Sequence, residues 1–528
     1  MADEDRQGAE NARGAGRGAL AIIGAKVWFI LTSYGIQLSL PAILPATSDF
    51  GLFRGTLSGV SILNNVLVVA TIQSVSKFVS EREEASGAVL RQGLKLQALL
   101  GGALALALYL AAPWLAGFLL DDALTPLLRI ACVVLFVNAL YAACVGSLNG
   151  RRRFVGQAGL DASFSTLRLS GILGGAFLGA SAFGALFGWA GAVIAVGSLG
   201  LFAVRREIVG GGPTSEAPPM RRWLAFMAPI WIYQLGLNAM LLVDLQVLKK
   251  TLAELALETG ASAAAAAEAA NTQVGYYGAA QTFAFVPYQL ILSLTFIIFP
   301  MISRATSAGD EAAAQRTLRG AMRVALLALL AIAAPIAGAA AGVLRIAFRE
   351  EFLAGAPALA ILVLGVVAFT LFVLCATALS SAGRPALAAG IAVLGVGVVV
   401  LSTRLLVRAS GGGVAALPAA ATGTSIGMGL AFLLAAVAVR MRFKALLPPL
   451  SVLRAALAAG AAWAVAHFVP HGTRLMALVA LAAGFAAYLL ALVLLRELGP
   501  ADLAAARTLL ARGDAKGPGG DDAGAPRS

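Results

Sequence analysis

Residues 98–120 read ALLGGALALALYLAAPWLAGFLL, a run without a single charged side chain. A helix of about 20 apolar residues is long enough to cross the hydrocarbon core of a bilayer. Similar runs occupy residues 385–401 and 475–495. Of the 528 residues, 60% are apolar and only 12% are charged, whereas a soluble domain carries about 25% charged residues. The sequence therefore predicts an all-α polytopic membrane protein.

The apolar runs divide the chain into about 14 transmembrane helices. The predicted spans are 18–40, 55–77, 96–120, 126–148, 157–179, 183–204, 223–248, 274–300, 322–344, 356–380, 386–407, 418–439, 451–469 and 475–496. Because no small-residue cleavage site follows the first apolar run, it is interpreted as an uncleaved first span. A tail of residues 1–17 precedes the spans, and a tail of residues 497–528, expected to be partly disordered, follows them.

Positive charge sets the predicted orientation. The net charge of +13 and the pI near 10.1 would suit a nucleic-acid-binding protein, but the basic residues lie in short clusters between the apolar runs, so no nucleic-acid partner is expected. With the N-terminus inside, the inner segments hold 28 of the 39 lysine and arginine residues. Lysine and arginine are enriched in cytoplasmic loops, so both termini are predicted to be cytoplasmic.

No motif in the sequence indicates a metal or a cofactor. Cys132, Cys144 and Cys375 lie inside apolar spans and form no C-x-x-C pair, so neither a disulfide nor a metal site is expected. His467 and His471 have the spacing of helical metal ligands, but Pro470 breaks that helix. Since no phosphate-binding loop and no nucleophile elbow occur, we expect a transporter driven by an ion gradient or a membrane potential rather than an enzyme.

The chain contains an internal repeat. The stretch Asp49–Gly55 (DFGLFRG) parallels Gln273–Ala279 (QVGYYGA), and each precedes an apolar span and a basic inner segment. Later, the basic turn at 148–153 parallels the turn at 379–384. Six spans per copy give both copies the same orientation, which predicts a parallel repeat about an axis along the membrane normal.

This repeat divides the chain into predicted domains. An N-lobe (18–204) holds six spans, a cytoplasmic linker (205–222) follows, and a C-lobe (223–439) holds the next six. The last two spans (451–496) lie outside the duplication. The predicted fold is therefore two six-helix lobes in a parallel repeat plus two C-terminal helices.

A family resemblance rests on these residues. The motif Val274–Ala280 (VGYYGAA), the span that ends in Phe299–Ser303 (FPMIS), and Asp244 about thirty residues earlier are similar to the oligosaccharide-flippase branch of the multidrug/oligosaccharidyl-lipid/polysaccharide flippase superfamily. The resemblance covers roughly residues 18–496. It implies a multi-pass protein of the bacterial inner membrane that translocates polyprenyl-diphosphate-linked saccharides for surface polysaccharide or cell-envelope synthesis. Membrane lipids are the expected surroundings, and a glycan polymerase and glycosyltransferases are partners that the resemblance leaves open.

Three alternatives remain at this stage. Sister branches of the superfamily are the lipid II flippases of peptidoglycan synthesis and the multidrug/cation antiporters. A membrane glycosyltransferase, ligase or polymerase would need a large outer loop with catalytic side chains, and the longest predicted outer loop, 249–273, is an Ala/Glu-rich stretch without such a cluster.

Charged and polar residues inside the spans are the candidate site. A charged side chain at the bilayer centre costs about 3 kcal/mol on insertion scales, so it is rarely accidental. The predicted substrate-binding residues, which fall on polar faces of spans 1, 2, 5 and 8, are Lys26, Gln37, Arg54, Asn65, Arg168 and Gln289. Asp244 and Asp161 are the predicted ion-coupling residues. Because the N-lobe supplies three cations, and a diphosphate binds arginine bidentately, an anionic lipid is favoured over a cationic drug.

Each candidate also has a structural interpretation. Neutral polar residues commonly hold membrane helices together, at about 0.6 kcal/mol for each hydrogen bond. Asp161 and Arg168 could neutralise each other, and Arg54 could lie at the outer interface. Lys249 and Lys250 are expected to extend their ammonium groups to the membrane surface at the outer end of span 7. Glycines 171, 175 and 179 predict close packing of span 5.

Overall fold

The computed structural model describes residues 2–210, 217–289, 311–444 and 447–499, and in these ranges it contains helices but no strands. The described ranges contain fourteen long helices: α1 (Ala2–Ile43), α2 (Thr47–Glu81), α3 (Ser86–Phe118), α4 (Leu124–Gly150), α5 (Phe154–Gly179), α6 (Ala182–Ala203), α7 (Met220–Glu258), α8 (Ala263–Ala284), α9 (Glu311–Gly338), α10 (Ala356–Ser381), α11 (Pro385–Ala409), α12 (Ala416–Phe443), α13 (Pro449–Phe468) and α14 (Arg474–Leu494). The predicted all-α class is confirmed.

Twelve helices of the described residues are long and apolar enough to cross a membrane. The two long helices outside this group correspond to the fifth and eighth predicted spans. The helix α5 carries Asp161 and Arg168 in its middle part. The second half of the predicted span 274–300 lies outside the described residues. The chain is therefore a multi-pass membrane protein.

The two halves of the bundle use the same helix contacts. In the first half, α1 packs on α5, α2 and α3 on α4, and α6 on α4 and α5. In the second half, the helices six positions later repeat these pairs: α7 on α11, α8 and α9 on α10, and α12 on α10 and α11. The equivalent helices α4 and α10 are the most enclosed, with 67% and 78% of their central residues buried. This pattern confirms the predicted two-lobe repeat, whereas the exact domain limits stay a prediction.

Helix packing explains two local features. Between α5 and α6, a Cβ on Gly188 would lie 1.9 Å from the carbonyl oxygen of Gly171, so both positions need glycine. The close packing predicted for span 5 is thus present. Ser181 caps the N-terminus of α6, because its Oγ accepts a hydrogen bond from the backbone N–H of Gly184 at 3.2 Å.

The predicted outer loop 249–273 is wrong. The helix α7 continues to Glu258 and α8 begins at Ala263, so only residues 259–262 join them. Alanine and glutamate have high helix propensity, and they extend both helices beyond the apolar segments. Within the described ranges, residues 249–273 therefore form the ends of two helices and a short connection, not a large loop.

The last two helices pack against α9, outside the two lobes. The turn after α14 is fixed by Glu497, which is 4% exposed. Its carboxylate accepts a hydrogen bond from Nε of Arg323 at 2.8 Å and pairs with Arg454 at 3.4 Å. We call the end of the bundle that carries this turn and the α2–α3, α4–α5 and α12–α13 connections the basic end. The other end, which carries the α1–α2 and α3–α4 connections, is called the opposite end.

Candidate functional site

A cavity of about 480 Å³ lies between α1, α2, α4 and α5 in the N-lobe. Its wall is formed by a mixture of aromatic, aliphatic and polar side chains. Seven of the eight predicted site residues line it: Lys26, Gln37, Arg54, Asn65, Asp161, Arg168 and Gln289. Asp244, the eighth residue, does not line this cavity.

Two of the cations lie on facing helices α1 and α5. Nζ of Lys26 is 3.9 Å from Oδ2 of Asp161, and the lysine side chain is 64% exposed. An exposed pair at this separation contributes about 1 kcal/mol at most, so the lysine remains able to meet another anion. Arg168 donates a hydrogen bond to Oγ of Ser33 at 2.7 Å and lies over the ring of Phe29. The predicted alternative of an Asp161–Arg168 pair is therefore not the observed arrangement, because Asp161 pairs with Lys26.

Arg54 lies at the boundary between the two lobes. Its side chain is buried within the protein, and its placement at the outer interface of the membrane stays a prediction. It donates hydrogen bonds to Oε1 of Gln37 at 3.1 Å, to the carbonyl of Gly278 at 3.2 Å and to Oε1 of Gln281 at 3.3 Å. A Cβ on Gly278 would lie 2.9 Å from Nε of Arg54, so this glycine of the GYYG motif makes room for the guanidinium. Nε is buried without a hydrogen-bond partner among the described residues.

Asp244 lies in the core of the C-lobe, fully buried between α7, α8 and α12. Its carboxylate accepts hydrogen bonds from the hydroxyl of Tyr277 at 2.7 Å and from Oγ1 of Thr424 at 3.1 Å. Nε2 of Gln281 donates to both carboxylate oxygens, at 3.1 and 3.2 Å. Four donors, counting the backbone N–H of Leu245, stabilise a buried charge that would otherwise be costly.

A hydrogen-bonded relay connects this carboxylate to the N-lobe cavity. Gln281 donates through Nε2 to Asp244 and accepts through Oε1 from Arg54. Its amide therefore joins an anion of the C-lobe to a cation of the N-lobe. Asp244 and Arg54 are among the site residues predicted from the sequence, whereas Gln281 is not. The sequence feature that indicates Gln281 is its position on the polar face of α8, one turn after Tyr277.

Neutral residues both line the cavity and join the helices around it. Nδ2 of Asn65, on α2, donates to Oδ1 of Asn238, on α7, at 2.8 Å. Gln37 accepts from Arg54 and also from Oγ1 of Thr282, on α8, at 2.9 Å. The same residues therefore join neighbouring helices and line the cavity.

A buried ion pair closes the opposite end between the lobes. Nζ of Lys249, on α7, lies 2.6 Å from Oδ2 of Asp121, in the α3–α4 connection, and Asn271 donates to the same oxygen at 2.9 Å. Burial alone would raise the pKa of Asp121, but the Lys249 ammonium and these hydrogen bonds lower it below its usual value. The expectation that Lys249 extends to the membrane surface is wrong, because a partner 128 positions earlier in the chain binds it. Lys250 instead pairs with Glu254 at 3.9 Å.

The helices α2 and α8 cross at two glycines near this ion pair. A Cβ on Gly51 would lie 1.7 Å from the carbonyl oxygen of Asn271, and a Cβ on Gly275 would lie 2.7 Å from that of Thr47. Both glycines belong to the repeated motif of the two lobes. Their backbones are in direct contact, so the described residues close the cavity at the opposite end.

Transporters of known structure share this fold. The structure of the lipid II flippase MurJ in an inward closed conformation superposes with a TM-score of 0.69 at 16% identity, covering 91% of this chain and 99% of that chain. A multidrug resistance MATE family transporter in an inward-facing conformation gives a TM-score of 0.61 at 16% identity, over 81% of this chain and 98% of that chain. A transporter from Pyrococcus furiosus, described as having a binding pocket of reverse polarity, superposes with a TM-score of 0.58 at 15% identity. The match covers 80% of this chain and 95% of that chain. This chain therefore has the same fold as these transporter structures.

The family follows from the sequence itself. The profile of the polysaccharide biosynthesis proteins matches residues 20–306, more than half of the chain. This chain belongs to the polysaccharide biosynthesis protein family. No curated protein matches the sequence.

Proposed function

We propose that this protein is a flippase, which moves polyprenyl-diphosphate-linked oligosaccharide units across the bacterial inner membrane by alternating access. The observation that carries the proposal is the charge of the N-lobe cavity. Lys26, Arg54 and Arg168 surround it, and Asp161 is the one acid among the described residues of its lining. A diphosphate is bound by fixed cations, and arginine can bind its oxygens with two hydrogen bonds at once.

The polar wall of the cavity also suits a saccharide. Gln37, Asn65 and Gln289 offer amide donors and acceptors next to the aromatic ring of Phe29. Amide and hydroxyl groups form hydrogen bonds in both directions, and sugar hydroxyls present both donors and acceptors. The three cations and these amides would therefore bind the diphosphate and the first sugars, while the lipid tail stays in the membrane.

A lipid II flippase is the second candidate. Its substrate carries the same polyprenyl diphosphate, and the MurJ structure covers nearly the whole of this chain. The family profile, which describes polysaccharide biosynthesis, favours oligosaccharide units instead. A multidrug/cation antiporter is disfavoured, since three cations in the cavity would repel a cationic drug.

The same proposal covers location and partners. The excess of basic residues in the segments at one end supports a cytoplasmic basic end with both termini on that side. Membrane lipids surround the bundle, and a glycan polymerase or glycosyltransferases would act on the substrate before or after it crosses. We assign transport rather than catalysis to the chain.

The decisive test of this function is a depletion experiment in the source bacterium. Depleting the protein should cause a polyprenyl-diphosphate-linked saccharide to accumulate on the cytoplasmic leaflet, and re-expression should remove it. Mass spectrometry of the lipid extract identifies the sugar and distinguishes oligosaccharide units from the peptidoglycan precursor. An unchanged pool of lipid-linked saccharides, together with lost export of an organic cation, would support the antiporter instead.

Asp244 is the proposed ion-coupling residue, and the relay through Gln281 gives it a route to the cavity. While Asp244 is charged, it orients the Gln281 amide so that Oε1 faces Arg54, which helps to hold the lobes together at the opposite end. A proton or a bound cation neutralises the carboxylate and weakens this connection. Neutralisation would therefore favour opening at the opposite end. Asp161, paired with Lys26, is proposed as a second ion-coupling residue.

We expect Gln281→Leu to reproduce the effect of Asp244→Asn. Both should leave substrate movement largely independent of the ion gradient, because each breaks the relay between the carboxylate and Arg54. The double variant should add little to either single change, since coupled residues are not additive. The measurement is flipping by purified protein in vesicles, with and without an imposed proton or sodium gradient.

Gln246→Leu is the matched control for this prediction. Gln246 also joins the lobes, by donating to the carbonyl of Gly55 at 2.6 Å and to Oγ of Ser58 at 2.7 Å, but it does not contact Asp244. Its loss should slow transport and preserve the gradient dependence. Equal loss of gradient dependence in both glutamine variants would show that inter-lobe contact in general, rather than the relay, is responsible.

A further inference from the structure

A second basic cavity lies on the outside of the C-lobe, at the basic end of the bundle. Its volume is about 460 Å³, and it is formed where α9, α12 and the beginning of α13 meet. Its lining consists of Arg319, Arg440, Lys444, Leu447, Pro448 and Pro449. None of these residues lines the N-lobe cavity, so the proposed substrate path does not account for it.

The three cations of this cavity lack an acidic partner within the described ranges of the chain. Nη2 of Arg319 donates to the backbone carbonyl of Lys444 at 3.1 Å, which fixes the guanidinium without neutralising it. Other basic groups at this end are paired: Glu207 binds Arg151 and Arg153. Because unpaired like charges repel each other, an anion between these three cations would be stabilised.

The local backbone adds to this positive charge. The helix α13 begins at Pro449, on the wall of the cavity, so the N-terminal end of a 20-residue helix contributes a partial positive charge there. Lys444 ends α12 in a left-handed conformation with φ of 51°. This conformation turns the backbone of Lys444 away from the axis of α12, and its side chain lines the same cavity as Arg440.

The surroundings of the cavity indicate a membrane lipid. Arg440 lies in the last turn of α12, and Arg319 lies near the start of the apolar segment of α9, which is Gln315–Gly338. The cavity is therefore at the boundary between polar and apolar surface. Next to it, the exposed side chains of Leu450, Leu453 and Leu457 follow one face of α13. A ligand with an anionic head and acyl chains fits both surfaces.

We propose that this cavity binds the phosphate headgroup of an anionic phospholipid of the leaflet at the basic end. The phosphate lies between Arg319, Arg440 and Lys444, and the acyl chains run along α13. Basic pockets between transmembrane helices on the cytoplasmic side are suited to such headgroups. The bound lipid joins the C-lobe to the C-terminal helix pair, and it is a lipid that stays in place rather than one that is translocated.

The test compares lipid retention by two triple variants with the same loss of charge. The site variant is Arg319→Gln, Arg440→Gln and Lys444→Asn, because asparagine tolerates the left-handed conformation of position 444. The control is Arg206→Gln, Arg221→Gln and Arg384→Gln, three exposed cations of the same end that line neither basic cavity. Full-length proteins are extracted from bilayers of phosphatidylglycerol and phosphatidylcholine, and native mass spectrometry counts the bound phosphatidylglycerol.

The wild type and the control should retain one more phosphatidylglycerol than the site variant, whose affinity should fall by roughly tenfold or more. The N-lobe cavity is unchanged in all three proteins. Any phosphatidylglycerol bound there adds equally to each count and does not affect the difference between them. Equal retention by both variants would overturn the proposal. Displacement of the lipid by millimolar inorganic phosphate would also overturn it, since the site would then recognise a free anion. Neither outcome depends on whether the protein flips a saccharide.

Discussion

Lys26→Ala and Arg168→Ala should each abolish, or nearly abolish, substrate flipping while the protein reaches the membrane at its normal level. A hydrogen bond to a charged group contributes about 1.5–3 kcal/mol, so losing one contact with a diphosphate reduces binding by roughly one to two orders of magnitude. Lys26 is mostly exposed, and among the described residues Arg168 donates only to a serine hydroxyl and contacts aromatic rings. Their removal therefore leaves no buried acid unpaired except Asp161, which lies beside the cavity.

The effect should depend on charge more than on shape. Arg168→Lys and Lys26→Arg should retain part of the activity, because the positive charge remains near the same position. Removing Lys26 also leaves Asp161 without its ion-pair partner, so Lys26→Ala with Asp161→Asn should be less impaired than Lys26→Ala alone. This partial recovery separates an electrostatic role for Lys26 from a packing role.

Lys95→Ala is the control for the loss of a lysine. Lys95 is an exposed residue of α3 that does not line the cavity. The assay is the transfer of a fluorescent polyprenyl-diphosphate saccharide between the leaflets of vesicles that contain equal amounts of each variant. Normal flipping by Lys26→Ala and Arg168→Ala would contradict the proposed site and would leave both residues with a structural role.

The fold was predictable from the sequence because a bilayer imposes its thickness on every helix. Runs such as residues 98–120 reveal their length and their apolar character without any knowledge of neighbours. The repeated motif around Gly51 and Gly275 likewise revealed the two lobes. The end of α7 was not predictable in this way. Lys249 suggests a membrane surface until its partner is known, and Asp121 comes from a connection in the other lobe.

The candidate site was also predictable only in part. Lys26, Arg54, Asp161 and Arg168 stood out because charge inside an apolar span is costly, and the fold places all four around one cavity. Their partners could not be assigned, since pairing depends on how helices rotate against each other. Gln281 is the clearest case. Its place on a polar helix face indicates a contact with other polar groups, but not that the partners are Asp244 and Arg54.

The crossing of α2 and α8 leads to the other large expected effect. Gly51→Ala should shift the protein toward a state that is open at the opposite end, and transport should fall. The added methyl group would lie 1.7 Å from the carbonyl oxygen of Asn271, which is backbone of the facing helix and cannot rotate away. Overpacking of this kind costs about 1–3 kcal/mol. The closed crossing loses that stability, whereas a state with separated helices does not.

Labelling measures this shift directly. Ser61 lines the cavity, so a Ser61→Cys variant should react with a membrane-impermeant maleimide from the opposite end only when that end is open. The native residues Cys132, Cys144 and Cys375 are buried and should contribute a low background. Gly51→Ala should accelerate labelling by roughly fivefold or more, in proportion to the change in population.

Gly59→Ala is the matched control, because it makes the same change on the same helix. A Cβ at position 59 would lie 3.5 Å from Nε2 of Gln246, an ordinary contact with the end of a flexible side chain. Labelling of Ser61→Cys should therefore be unchanged in this variant. If Gly51→Ala also left labelling unchanged, α2 and α8 would have to be separated in the closed state as well as in the open state. The contact between Gly51 and Asn271 would then not be the barrier that closes the cavity at this end.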